Sequence, residues 1–122
     1  FTSYYYISHG HAVMLTFPYF FEINACVDSK NIQNKEGFTV EYARRTFNEL
    51  LKILNVKSGI DAENKMINLM NEIGLERSLR KLGISEDGLQ VIVDNGFNPQ
   101  RVVSNPVVVT QETVWKILKK IL

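Results

Sequence analysis

The chain has 122 residues, 45% of them hydrophobic and 22% charged, with a formal net charge of +1. That length suits one compact domain, and that composition excludes a disordered chain. The cations are scattered among acids apart from Lys119–Lys120, which excludes the basic footprint of a nucleic-acid partner, and the single cysteine, Cys26, cannot form an internal disulfide and fits a reducing cytoplasm.

Taken in chain order, Phe1 to Tyr6 lack the basic start and cleavage site of a signal peptide. The longest apolar stretch, Ala12 to Phe21, is too short to span a bilayer and contains Pro18, so no membrane partner is expected. Ala12 to Ile23 are apolar nearly all round, which predicts a buried helix that Pro18 either kinks or divides in two. Asp28 to Gly37 read as a surface loop. Thr39 is expected to cap the next helix, whose apolar face is Ala43, Phe47, Leu50, Leu51 and Leu54 and whose end lies near Val56. Ser58 or Asp61 starts another, with Ile60, Ile67, Met70 and Ile73 facing inward and Gly74 as its left-handed stop.

A short helix is predicted over Arg77 to Leu82, stopped by Gly83, with Ile84 folding back onto it. Ser85, Glu86 and Asp87 open a helix that runs to Gly96, and Pro99 and Pro106 bracket an irregular segment. Val107 to Val109, three β-branched residues in a row, predict a short extended piece. Thr110 caps a last helix with the stripe Val114, Ile117, Leu118 and Ile121 and with lysines at its C-terminal end. The expected class is all-α, an antiparallel helical bundle forming one domain over residues 1–122.

The segment most suggestive of chemistry is Ile7-Ser8-His9-Gly10-His11-Ala12-Val13. An imidazole beside a glycine, at the mouth of an apolar helix, suits a borderline divalent metal, because Gly10 leaves room for close approach. Spacing alone does not decide it. His9 and His11 are two apart and do not share a helical face, and stable metal sites need three or four ligands. Cys26 has no neighbouring basic residue in sequence and reads as a small apolar filler.

His9-Gly10-His11-Ala12-Val13, followed by an apolar stretch, Pro18 and Phe21-Glu22-Ile23-Asn24, is similar to the iron-containing alcohol dehydrogenases. Glu72-Ile73-Gly74-Leu75, Ser78-Leu79-Arg80-Lys81-Leu82-Gly83-Ile84 and Asn105-Pro106 with Thr110, Glu112 and the closing amphipathic helix resemble later stretches of that family in the same order. The resemblance implies a C-terminal, metal-binding helical domain of the dehydroquinate synthase-like fold, present here in part. It implies that His9 is one of four ligands to a catalytic Fe2+ (or Zn2+), the others being an Asp and two His upstream of Phe1. It implies an NAD(P) cofactor held by a nucleotide-binding domain that these residues do not include, and that this chain by itself is inactive. The wording around His9 and Asn24 resembles phosphonoacetaldehyde-reducing members most.

Two departures are Ser8 where the family often has proline before the ligand His, and Glu76 where it often has proline after Gly-Leu. His11 falls at the helix start, where it serves packing or the substrate pocket. Arg101 falls where the family approaches its substrate, and is either a solvated arginine or the partner of an acidic substrate group. Tyr4, Tyr5 and Tyr6 resemble an aromatic run that leads into the ligand histidine. The start at Phe1 rather than Met reads as part of a longer protein, and Phe1, Tyr4, Tyr5, Phe17 and Phe20 form an expected apolar patch for a homo-oligomer or for the missing domain. Alternatives are a helical interaction module that needs no metal, and a glycerol dehydrogenase or dehydroquinate synthase relative. The second of these prefers Glu where this chain has His11.

Overall fold

The computed structural model describes residues 2–122. Phe1, part of the expected apolar patch, lies outside them. The described residues form helices and turns, with one isolated antiparallel bridge between Ile32 and Val107. The all-helical class read from the sequence holds.

A single turn, α1 (Thr2–Tyr5), leads through Tyr6 into α2 (His9–Thr16) and α3 (Tyr19–Ala25). Of the two outcomes expected at Pro18, the divided helix is the one found, because proline supplies no N–H to continue the ladder. The stretch is buried on one side only. Ala12, Leu15, Tyr19 and Phe21 enter the core, while Val13 and Phe17 (43% exposed) face outward. A helix apolar on every side therefore leaves a greasy outer stripe uncovered by this chain.

Helices α4 (Val40–Ile53) and α5 (Gly59–Glu72) start on the predicted caps. Thr39 Oγ accepts from the Tyr42 N–H at 3.1 Å, and Ser58 Oγ from the Asp61 N–H at 3.1 Å. Helix α4 ends in Asn55, in the left-handed region at φ 53, and its neighbours close the paired carbonyl bonds of a Schellman turn: Val56 N–H to Leu51 O and Asn55 N–H to Lys52 O, both 3.0 Å. Gly74 ends α5 with the same pattern. The inward face of α5 differs from expectation. Ile60 is exposed and Ile73 is 62% exposed, whereas Gly59, Ala62, Glu63 and Met70 are buried. The reason is steric. Helix α5 lies on α3 so closely that a Cβ on Gly59 would stand 2.7 Å from both Phe21 O and Ala25 Cβ. Only small residues fit that seam, so the bulky isoleucines rotate outward.

The helix predicted over Arg77 to Leu82 is a single turn instead. Glu76 Oε1 accepts the Arg77 and Ser78 N–H groups at 2.8 Å, and Gly83 (φ 81) closes the turn after one Leu82 N–H to Ser78 O bond. Ile84 folds back fully buried, as expected. Helix α6 (Glu86–Gly96) follows. The proline-bracketed segment holds one helical turn, α7 (Pro99–Val102), capped by Asn98. The predicted extended piece pairs with the surface loop through Gln33 N–H to Pro106 O (2.7 Å) and Val108 N–H to Asn31 O (2.8 Å). Thr110 and Thr113 form a reciprocal cap for α8 (Gln111–Lys120). Helix α8 packs against α6, and the largest core cluster joins α2, α3, α5, α6 and α8 around Leu15, Leu89 and Leu118. Cys26 is exposed rather than an apolar filler, because α3 ends one residue before it.

One charge is inside. Glu63 is 2% exposed; its Oε1 accepts from Lys120 Nζ at 2.7 Å, and its Oε2 has no protein partner among the described residues. The Lys120 ammonium also lies 4.6 Å from the centre of the Tyr19 ring. The Glu63 hydrogen bond holds the Lys120 pKa above the ordinary lysine value of 10.5.

Gly59→Ala is expected to cost about 1–3 kcal/mol in chemical denaturation. Gly96→Ala, where a Cβ meets nothing within 4 Å, should change stability by less than about 1 kcal/mol. The Lys120 contribution is fully present below pH 10.5 and is lost as pH rises through the higher folded pKa. Lys120→Met should therefore flatten the alkaline limb of the stability profile. It should also cost about 1–3 kcal/mol at neutral pH by stranding the Glu63 carboxylate.

Candidate functional site

Imidazole spacing decides how α2 presents its two histidines. Residues two apart on a helix diverge, and they do so here. His9 is the first residue of α2, entered from the extended Ser8 (φ −56, ψ 148), and is exposed with no hydrogen bond to its ring among the described residues. Beyond its chain neighbours and its own helix backbone, no atom of the described residues lies within 4 Å of where a Cβ on Gly10 would stand. The approach beside His9 is open on that side.

The His11 ring turns the other way, with Nε2 2.6 Å from Glu76 O. It is half-buried and ties the start of α2 to the turn after α5. The Glu76 carboxylate is held below its ordinary range by the Ser78 N–H, with the Arg77 N–H and Lys81 adding to the effect. His11 and His9 do not meet.

His9 and Arg101, far apart in sequence, line one groove of about 610 Å³. That volume is in the range of small-molecule sites. Its floor is Ile92 of α6 with Val114, Ile117 and Leu118 of α8. One wall is the outer stripe of α2 and α3, carrying Val13, Phe17 and Phe20; the other is α7 with Arg101 and Val102. No Asp, Glu or Lys of the described residues lines it. The polar lining is His9, Thr16, Arg101 and two amides, Asn24 and Asn105.

The two amides clasp each other. Asn24 Nδ2 donates to Asn105 Oδ1 at 3.1 Å, and Asn105 Nδ2 donates to Asn24 Oδ1 at 2.9 Å and to Val107 O at 2.7 Å. The end of α3 is thereby fixed to the segment that follows α7, which sets the spacing of the groove's walls. Both residues stood out in the sequence only as ends of motifs. Nothing in their spacing, 81 residues apart, announced the pair.

Among the described residues no three His, Cys, Asp or Glu side chains come together as a metal site. His9 fits as one imidazole donor, exposed on the groove wall. Among the described residues three further donors are not present around it.

No helix of the described residues is long and apolar enough to cross a membrane. The whole chain, residues 1–122, matches the Fe-containing alcohol dehydrogenase family, C-terminal. No curated protein and no solved structure matches it.

The amide clasp is testable by a double-mutant cycle. Asn24→Ala and Asn105→Ala should each cost about 1–2 kcal/mol. The double variant should fall short of their sum by at least about 0.5 kcal/mol, since both remove the same bonds. Strict additivity in urea denaturation would mean the two amides do not stabilise each other.

Proposed function

The chain belongs to the iron-containing alcohol dehydrogenase family, as its C-terminal domain, and on that premise we propose that it forms the helical wall of an oxidoreductase cleft. In this reading His9 is the domain's own contribution to the coordination of a catalytic divalent metal, Fe2+ or Zn2+. The observation that carries it is the position of His9: exposed, with no hydrogen bond to its ring among the described residues, and at the edge of a groove whose lining is mainly apolar.

Neutral imidazole is a good donor to such metals. When bound, the metal, held in part by His9, would supply Lewis-acid polarisation of an alcohol or aldehyde oxygen, and NAD(P) would supply the hydride chemistry. The remaining ligands and the nucleotide site lie outside these 122 residues in this proposal, so the chain by itself is inactive. What its own residues do is structural and electrostatic. His11, bonded to Glu76 O, pins the start of α2 and so fixes where His9 points. The apolar lining from Val13, Phe17 and Ile92 excludes water from the reacting groups. The outer stripe around Phe17, together with the exposed Tyr4, is where the nucleotide-binding domain or a second copy packs.

The test is His9→Ala in the intact enzyme. Metal affinity should drop by more than the ~10–100-fold that loss of an outer-sphere partner costs, and turnover should fall with it, while circular dichroism stays that of the folded domain. A folded His9→Ala enzyme with full metal content and full turnover would remove His9 from the coordination sphere.

A further inference from the structure

A carboxylate has two acceptor oxygens, and one left without a partner out of water is costly. Glu63 is in that position. Lys120 Nζ takes Oε1 at 2.7 Å, while Oε2 is the one buried side-chain nitrogen or oxygen among the described residues that lacks a hydrogen-bond partner. A native fold that keeps such an atom keeps it for a reason, and a bound water or ion is among the commonest.

Glu63 lines a cleft of about 250 Å³ between α3, α5 and α8, which shares only Ile117 with the groove lined by His9. Helix α3 brings Tyr19 and Glu22 to it, and α8 brings Thr113, Lys116 and Lys120. Its charges do not balance. Lys116 is taken by Glu112 at 2.8 Å, and Lys120 by Glu63. Glu22 has no ion pair among the described residues. It nevertheless stands close enough to act on the same ammonium: the Lys120 pKa is raised chiefly by the Glu63 bond, with the Glu22 charge adding. Two carboxylates therefore face one cleft with one ammonium to share, and the cleft is short of a single positive charge.

We propose that this cleft is a site for a small monovalent cation, K+, Na+ or NH4+, held between Glu63 Oε2 and the Glu22 carboxylate with water completing its shell. All the donors are oxygens, which suits a hard ion. The other oxygens that the lining side chains carry are the hydroxyls of Tyr19 and Thr113. A tightly held divalent ion asks for more charged oxygens than that, and no group of three His, Cys, Asp or Glu forms among the described residues. The ion would add Glu22 of α3 to the Glu63–Lys120 tie between α5 and α8. It would thereby brace the helices that carry the groove wall and floor without entering the groove. The proposal does not depend on the oxidoreductase reading.

The experiment follows thermal unfolding of the intact enzyme at constant ionic strength while KCl replaces tetramethylammonium chloride, whose methyl groups keep its charge away from a carboxylate oxygen. Tm should rise saturably with K+, by at least about 2 °C. Glu63→Gln should abolish the rise. Glu22→Gln, at an exposed position where the fold is not at stake, should raise the K+ concentration needed by about 10-fold or more, because affinity for such ions follows ligand charge. In crystals grown with rubidium in place of potassium, anomalous scattering should mark the ion beside Glu63 Oε2. Equal Tm in the two salts, or an ordered water only at Oε2 with no rubidium signal, overturns the proposal. So does saturation by Mg2+ or Ca2+ at lower concentration than by K+, which would make the site divalent. A K+ response of unchanged affinity in Glu22→Gln also overturns it, since the ion would then sit elsewhere.

Discussion

The backbone contact between the start of α5 and the body of α3 is the constraint on which the rest of the arrangement hangs. Gly59 rests on Phe21 O and Ala25 Cβ with no space for a side chain. Helix α3 is therefore two-faced. Phe21 and Ala25, four apart, meet α5, while Phe20 and Asn24, also four apart, are left for the groove. Loosening the seam would roll α3 and move the groove wall with it. Close packing transmits such shifts because the interior has no slack to absorb them.

A costly choice lies further along α5. Ala62 is fully buried against Phe21 of α3, and the next position, Glu63, is buried as well. A carboxylate out of water is expensive, and an apolar side chain of equal volume would often be as stable. What Glu63 supplies is direction. Its bond to Lys120, whose ammonium lies over Tyr19, connects α5, α8 and α3 at one point. The other end of the tie is backbone: Leu79 N–H donates to Ile121 O at 2.9 Å. Between them these contacts fix how far α8 slides along its neighbours. Val114, Ile117 and Leu118 of α8 are the groove floor, so its shape is set by polar contacts at its edge as well as by the apolar core.

Local signals in the sequence were readable wherever a short stretch decides its own conformation. Thr39, Ser58 and Thr110 cap because a hydroxyl reaches an N–H three residues on. Gly74 and Gly83 stop their segments because they tolerate positive φ. The break at Pro18 and the extended Val107 follow from equally local causes. Failures lie where a distant partner overrides the pattern. Ile60 and Ile73 obey helical periodicity, yet the Gly59–Ala62 seam turns them out. Arg77 to Leu82 have helix-forming residues, but Glu76 captures the first N–H groups and Gly83 closes the turn within one cycle. For the site, His9 and Arg101 were each visible as residue types. That they share one groove, and that Asn24 and Asn105 set its width, depends on contacts made across the folded chain.

One backbone feature next to His9 has no packing explanation. Tyr6 is 93% exposed, yet holds φ at 55. For a bulky residue the left-handed region costs about 1–2 kcal/mol, and an exposed ring recovers little of that by burial. Its effect is on the chain's path. The reversal at Tyr6 lets Tyr5 turn toward Gly88, places Ile7 in the core at 6% exposure, and brings Ser8 in extended so that α2 begins at His9. A relaxed Tyr6 would send α1 onward and carry the imidazole away from the groove. Strained backbone persists where the surrounding structure over-determines it, and it concentrates at functional positions. Here it is anchored on both sides, by Tyr5 before it and Ile7 after it. His9 is thereby presented from a fixed helix start rather than from a mobile loop.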